Sequence, residues 1–532
     1  MLSVLVFVAA FVLSPLSFAH PLSHHALSCA DIRLPHIPGA KVIDVQYDEK
    51  RNHTVPETLP FLPETVSGLN ICEVIVTLSH PGANDKVSVQ VWLPIGTWNG
   101  RFVGTGGQGW AAGLGDLALA PFAAEGFAVA STDAGLPYNP ESPQAWALDT
   151  SGHVNIGLLT NFASRSVHDL AVVGKAVTAS YYKNAANHSY WYGCSTGGRQ
   201  GLVEAQKYPD DFDGILAGAP AIYWPEYVVA ELWPQAVMNE AQVYPSQCEL
   251  KWFTQTAIDA CDELDGVKDG IINDPSKCKY NPSTAVGSKI KCDGKTTTVS
   301  TEVAEIVRKI WEGPGSLYGL PRWSGLTLGA PLDSLANTTV SHGTHVGNTF
   351  FVPEGWIRYF VEADPDFDFS KVGYKDFDYI FQRSVAKYES LIGSDNPNLS
   401  GFQKSNGKLL MWHGLSDQLI FPQDSARYYQ EVDKYGGRSS NVDDYLRLFL
   451  APGVDHCGAG TTPGAIPSDP FGALISWVEN GTAPEALSAV TPATAREQFT
   501  RKICRYPLVE KYRGHGKVDS AESFDCVEEC EA

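Results

Sequence analysis

The sequence is poor in positive charge. Its 39 lysines and arginines stand against 60 aspartates and glutamates, for a net charge of −21. Such a chain repels a phosphate backbone, and no Lys/Arg stripe offsets the repulsion, which argues against nucleic acid as a partner. An anionic membrane surface is disfavoured on the same ground. Charged residues of either sign are scarce, at 19%, against 44% hydrophobic and 11% aromatic. Disorder needs the opposite balance, so a large packed core is expected. The length of 532 residues implies two domains or one enlarged domain.

Long apolar runs are also lacking. The N-terminal MLSVLVFVAAFVLSPLSFAH is broken at Pro15, short of the roughly 20 apolar residues that a spanning helix needs. It closes on Ser17-Phe18-Ala19 and reads as a signal peptide, residues 1–19, cut after Ala19, although no Lys or Arg precedes it. Secretion follows, and eleven cysteines suit the oxidising compartment it implies. Asn52, Asn187, Asn337, Asn398 and Asn480 head N-x-S/T triplets, acceptors for glycosylation in a eukaryotic secretory route.

No repeat or low-complexity segment stands out. From about Lys86 to Pro220, short β-rich runs alternate with helical stretches. KVSVQVWLPI, RFVGTGG, FAVASTDAG, YWYGCS and FDGILAGAPA read as strands, and SVHDLAVVGKAVTASYYK carries apolar residues at helical spacing. This alternation predicts a largely parallel α/β sheet. The texture returns late, with GKLLMWHGLSD and DYLRLFLAPGV as strands and PFGALISWVENG as a helix. Between them the chain is richer in Trp, Pro, Asn, Gly and Cys, which predicts an inserted domain over 223–402.

Gly193-Cys194-Ser195-Thr196-Gly197 satisfies G-x-S-x-G, after a strand-like SYWYG and before a helix-compatible GGRQGLVEAQKYP. That is the context of a nucleophile elbow: the serine occupies a strained turn that bulky neighbours would block. Ser195 is the expected nucleophile, and the N–H of Thr196, at the helix start, is an expected oxyanion donor. A glycine-rich turn is the plain alternative. The elbow implies a later acid and then a histidine. Asp417, on a loop past the strand GKLLMW, suits the acid, and would otherwise be a turn or cap residue. His456, on a glycine-bounded loop after YLRLFLAPG, suits the general base. Asp455 adjoins His456 too closely to face its ring, and His413, a rival base, precedes Asp417 and breaks the order.

Cys194 precedes Ser195, and Cys457 follows His456. If the serine and histidine lie within hydrogen-bond reach, their neighbouring cysteines are close enough to bond. Such a bridge would hold nucleophile and base together, and closing so long a loop contributes about 4–5 kcal/mol in the chain-entropy description.

These residues resemble the tannase/feruloyl esterase family of secreted α/β-hydrolases, marked by Cys-Ser, Asp and His-Cys in chain order. The resemblance extends over nearly the whole mature chain, through RFVGTGGQGW, YYKNAANHSYWYGCSTGGRQG, DGILAGAPA and SFDCVEE. It implies an α/β-hydrolase domain formed by 20–222 and 403–532, with 223–402 as a lid. It carries the catalytic roles onto Ser195, Asp417 and His456. RFVGTGGQGW is similar to the family's other oxyanion segment, with Gly107 as second N–H donor and Gly106 or Gln108 as alternatives. It also implies the pairs Cys29–Cys72, Cys248–Cys292, Cys261–Cys278 and Cys504–Cys526, leaving Cys530 unpaired.

Cys261-Asp262-Glu263-Leu264-Asp265-Gly266-Val267-Lys268-Asp269-Gly270-Ile271 places three aspartates among glycines. Hard oxygen ligands on a tight loop suit Ca²⁺, although the closing Glu of an EF-hand is missing and an Asx-rich turn fits the spacing as well. The family resemblance implies a structural Ca²⁺ held by Asp262, Asp265, Asp269 and the carbonyls of Val267 and Ile271. No organic cofactor is expected.

The resulting expectation is a secreted serine esterase acting through an acyl-enzyme. Its substrates would be feruloyl esters of plant cell-wall polysaccharide, with galloyl esters (tannase) or another aromatic ester as alternatives. A serine peptidase would use the same three residues. A non-catalytic binding protein on this fold would be expected to lack one of them.

Overall fold

The computed structural model describes residues 28–34, 36–56, 65–83, 85–292, 294–316, 319–437 and 441–528. The expected signal peptide, residues 1–19, and Cys530 lie outside the described residues.

Among the described residues, nine strands form the main sheet. They are β1 (Lys41–Val55), β2 (Val66–Ser79), β3 (Val87–Pro94), β4 (Arg101–Thr105), β5 (Ala128–Thr132), β6 (His188–Cys194), β7 (Gly214–Gly218), β8 (Lys408–Gly414) and β9 (Leu446–Ala451). Their spatial order is β1-β2-β3-β5-β4-β6-β7-β8-β9. The pairs from β5 to β9 are parallel, and β1, β2, β3 and β5 pair antiparallel.

Strands covered on both faces need no polar side, and β5 and β7 are buried at every position. Alternate residues serve two cores. Trp191, Ile215, Leu409 and Met411 join one cluster, while Tyr190, Leu216, Leu410 and Trp412 join the other, as the period of two requires. The helices α1 (Asp116–Ala124), α2 (Ser166–Tyr182), α3 (Thr196–Lys207), α4 (Trp224–Ala230), α5 (Tyr374–Ile392) and α6 (Pro470–Asn480) include those covering the sheet. In the first core α2 packs on β3, β4 and β5, and α3 on β6 and β7; in the second α1 packs on β5, and α6 on β7 and β8.

The strands and helices predicted from the alternating texture are present, but β1 and β2 extend the sheet beyond that prediction. β1 is largely solvent-facing and reads KVIDVQYDEKRNHTV. Its charged residues mask the strand signal and suit an exposed edge.

The chain leaves the sheet after β7 and rejoins it at β8, and none of the described residues between them belongs to its strands. This excursion contains α4 and α5, which pack on each other. All five expected cysteine pairs are formed: Cys29–Cys72, Cys194–Cys457, Cys248–Cys292, Cys261–Cys278 and Cys504–Cys526.

Candidate active site

Parallel strands carry their functional loops at their carboxyl ends, and three such ends meet here. Ser195 follows β6, Asp417 follows β8 and His456 follows β9. The register sets Cys194 beside Gly218, Gly218 beside Trp412, and Trp412 beside Phe449.

Ser195 has φ 63° and ψ −124°, directly before α3. Such a backbone is strained for a non-glycine residue and persists because its surroundings hold it. A Cβ on Gly193 would lie 2.4 Å from the Gly197 carbonyl carbon and oxygen, so only glycine fits there. The Ser195 N–H donates to Gly218 O at 3.0 Å, and Trp191 Nε1 donates to Gly197 O at 2.9 Å. Thr196 opens α3, so its N–H has no acceptor within the helix. Its hydroxyl donates to Gly109 O at 2.8 Å.

His456 Nδ1 lies 2.8 Å from Asp417 Oδ2. With Nδ1–H donating there, Nε2 carries the lone pair. Asp417 is fully buried, and its Oδ1 accepts the N–H groups of Leu419 at 2.8 Å and Ile420 at 2.9 Å. Burial works against its charge, but the charge of His456 and the hydrogen bonds of His413 and His456 hold the carboxyl well below the usual range. On His456 burial disfavours the imidazolium, yet the Asp417 charge and hydrogen bond outweigh it and raise the pKa.

His413, set aside from sequence as a rival base, is wholly buried. Its Nε2 lies 3.1 Å from Asp417 Oδ2, and its Nδ1 lies 2.8 Å from Ser425 Oγ. It therefore contacts the acid rather than the cleft, a placement that sequence reasoning missed. His413 lies in β8 and Asp417 in the turn beyond its end at Gly414, so no single element carries both and no periodic pattern links them.

Gly107 requires a correction. Its N–H donates to Gln200 Oε1 at 3.0 Å, so it is not available to an oxyanion. The two alternatives are also committed, Gly106 to Tyr192 O at 3.0 Å and Gln108 to Ala111 O at 3.1 Å. Gln200 takes the Gly107 N–H by reaching from α3 into the segment, with its Nε2 on Ala112 O at 2.9 Å. Among the described residues the N–H of Gly109, which lines the same cleft, has no acceptor.

Ser195, Thr196 and His456 open onto a cavity of about 400 Å³. Its walls are mainly apolar, with Phe122, Trp224, Phe350, Phe351, Trp412 and Leu419 among them. Of the aromatic residues between β7 and β8, Trp224, Phe350 and Phe351 line the cavity, while Trp233, Phe253, Trp356 and Tyr359 are buried in the core.

The expected calcium loop follows the helix Gln247–Cys261 and is anchored by Cys261–Cys278. Asp262 Oδ1 accepts the N–H groups of Asp269 and Gly270, each at 3.0 Å, and of Ile271 at 3.3 Å. Asp269 Oδ2 meets Arg501 at 2.5 Å, and its Oδ1 is buried without a partner. Burial, reinforced by Asp269 and Asp262, pushes the Asp265 carboxyl up to about 6. Among the described residues no three His, Cys, Asp or Glu side chains converge as a metal cluster. The donor chemistry fits Ca²⁺, with an orphaned oxygen and mutually repelling carboxylates, while the contacts present are those of an Asx-rich turn.

The family model described as "Tannase and feruloyl esterase" matches residues 72–527. A probable feruloyl esterase from Arthroderma benhamiae is 50% identical over 509 residues, covering 94% of each chain. A probable feruloyl esterase B-2 from Aspergillus fumigatus is 31% identical, over 92% of this chain and 93% of its own. Among solved structures, the tannin acyl hydrolase from Aspergillus niger superposes with a TM-score of 0.85 at 26% identity, covering 94% of each chain. Feruloyl esterase B from Aspergillus oryzae gives 0.76 at 27% identity, over 93% of this chain and 98% of its own.

Proposed function

The chain belongs to the tannase and feruloyl esterase family of carboxylic ester hydrolases, and we propose that within it the chain hydrolyses feruloyl esters through an acyl-enzyme on Ser195. The observation that carries this is the short contact between His456 Nδ1 and Asp417 Oδ2, in a cleft shared with Ser195. The Nε2 lone pair of His456 takes the Ser195 proton as Oγ attacks the ester carbonyl. Asp417 keeps the imidazole in that tautomer and stabilises the imidazolium. The Thr196 N–H receives the developing oxyanion, and the N–H of Gly109 is the second donor. One such donor is worth on the order of 10²–10³ in kcat. His456 then returns the proton to the leaving alcohol and activates the water that releases the acid.

The apolar cavity suits an aromatic acyl group. Residues 223–402 act as the lid over the catalytic domain of 20–222 and 403–532, and Trp224, Phe350 and Phe351 from that segment support this by lining the cavity. Relatives named as probable feruloyl esterases favour the feruloyl group. A galloyl ester is the second reading, favoured by the superposition on the tannin acyl hydrolase.

Secretion would bring the enzyme to wall-bound esters and would make the five N-x-S/T triplets accessible to glycosylation. No described helix is long and apolar enough to cross a membrane. Ca²⁺ would be held by Asp262, Asp265, Asp269 and the carbonyls of Val267 and Ile271, neutralising carboxylates that now repel one another. Its role would be structural.

Hydrolysis of methyl ferulate and methyl gallate side by side, with Ser195→Ala as control, tests the proposal. Preference for ferulate with an inactive alanine variant is expected. Preference for gallate would move the enzyme to the second reading. Cleavage of neither ester by folded protein would overturn the substrate class.

A further inference from the structure

Glu231 immediately follows α4 and is 2% exposed. It lines the same cavity as Ser195 and His456. Its Oε2 is buried and has no hydrogen-bond partner among the described residues. Its N–H is bonded to Tyr227 O at 2.9 Å, so the backbone around it is fixed. An unpartnered polar group at such a depth is destabilising. A fold retains that cost most readily where a ligand relieves it.

We propose that Glu231 is a specificity-determining residue that reads a ring hydroxyl on the aromatic acyl group held in this cavity. The proposal rests on the esterase reading above and identifies which part of the substrate is recognised. Burial first, and the negative charge of Asp417 second, push the Glu231 carboxyl far above the ordinary range. Burial thus favours its neutral form, which has one O–H to donate and one carbonyl oxygen to accept. A phenolic hydroxyl matches both functions. Trp224 and Tyr227, from the turns just before it, also line the cavity. A wall built to pair with a hydroxyl discriminates against an analogue lacking it, because the buried carboxyl then stays unpaired.

Two esters that differ by one hydroxyl test this: methyl 4-hydroxycinnamate and methyl cinnamate. The wild type is expected to prefer the hydroxylated ester in kcat/KM by roughly tenfold or more. Glu231→Leu should abolish the preference, and Glu231→Met should repeat the result with a longer apolar side chain. Glu231→Gln, which can still donate and accept, should retain part of it. The melting temperature of the apolar variants should equal or exceed that of the wild type, since they remove an unpaired buried acid. An unchanged preference in Glu231→Leu would overturn the proposal, as would a wild type that cleaves both esters equally; the esterase reading would survive either. Apolar variants that melt well below the wild type, or fail to fold, would make Glu231 structural and overturn it too. Cleavage of neither ester would count against the aromatic esterase reading itself and remove this inference with it.

Discussion

Cys194 and Cys457 are bonded to each other across 263 positions of the chain, with Cα atoms 6.0 Å apart. Each is the direct neighbour of a residue in the cleft, Ser195 on one side and His456 on the other. Cys457 has φ 56° within the turn that presents His456. The bridge thus joins the loop that carries Ser195 to the loop that carries His456. Replacing both cysteines by serine should lower stability by about 5 kcal/mol at most, since bridges nested inside the loop already limit its freedom. The kcat should fall more than KM changes, because Ser195 and His456 lose their fixed separation. Wild-type kcat in the folded double variant would contradict this role.

The pH profile follows from the imidazole. His456 accepts a proton only when neutral, and Asp417 raises its pKa above the usual 6.5 despite burial. The acid limb of kcat/KM is therefore expected above pH 6.5. Asp417→Asn should shift that limb downward and reduce kcat on the order of 10⁴-fold, the scale of losing the correct tautomer. A wild-type limb below pH 6.5 would contradict the assignment.

His413 touches Asp417 and not the cleft, so under the proposed mechanism it would position that carboxylate. His413→Ala should lower kcat by roughly 10–100-fold, the scale found for partners that orient a functional group, with KM little changed. His413→Gln, which can reach Asp417 with an amide N–H, should recover part of the loss. A change in KM alone would place His413 elsewhere.

Glu226 on α4 and Glu389 on α5 meet where these helices pack, and Glu226 raises Glu389 while the hydrogen bond from Glu389 works against the rise of Glu226. Burial first, then neighbouring carboxyls, push Glu226 up to about 7 and Glu389 up to about 9. Because these values exceed the unfolded value of about 4.3, the native state binds more protons between them, and stability falls as pH rises. The melting temperature should decline from pH 5 to pH 9, and Glu389→Gln should flatten the decline. A variant that retains the full slope would show that other groups set it.

Calcium can be tested without measuring activity. Chelation should lower the melting temperature, and added Ca²⁺ should restore it, since a ligand that binds only the native state stabilises it. Asp265→Asn should reduce this response. An unchanged melting temperature under EDTA would favour the Asx-rich turn.

The parts of this molecule that were legible in the sequence are those whose signal is local or ordered along the chain. The elbow shows itself because Gly193 and Gly197 flank Ser195, and the order Ser, Asp, His led to Asp417 and His456. The adjacent cysteines added a distance constraint that was met. What escaped depends on contacts between distant positions. The Gly107 N–H is taken by Gln200, 93 positions away, and nothing in RFVGTGGQGW announces that. The exposed edge of β1 carries charges that hide its strand period. Register shifts in β1 after Val42, Lys50 and His53 further blur that period. Glu231 reads as one more helical glutamate until its unpaired oxygen and the cavity are seen together.

The central claim, an acyl group carried on Ser195, is tested most directly by trapping it. Wild-type enzyme turning over an aryl ferulate would be quenched in acid, digested and examined by mass spectrometry. A feruloyl group on the peptide containing Ser195, absent from Ser195→Ala, is the expected result. Continued hydrolysis by Ser195→Ala, or a feruloyl group on a different residue, would contradict it.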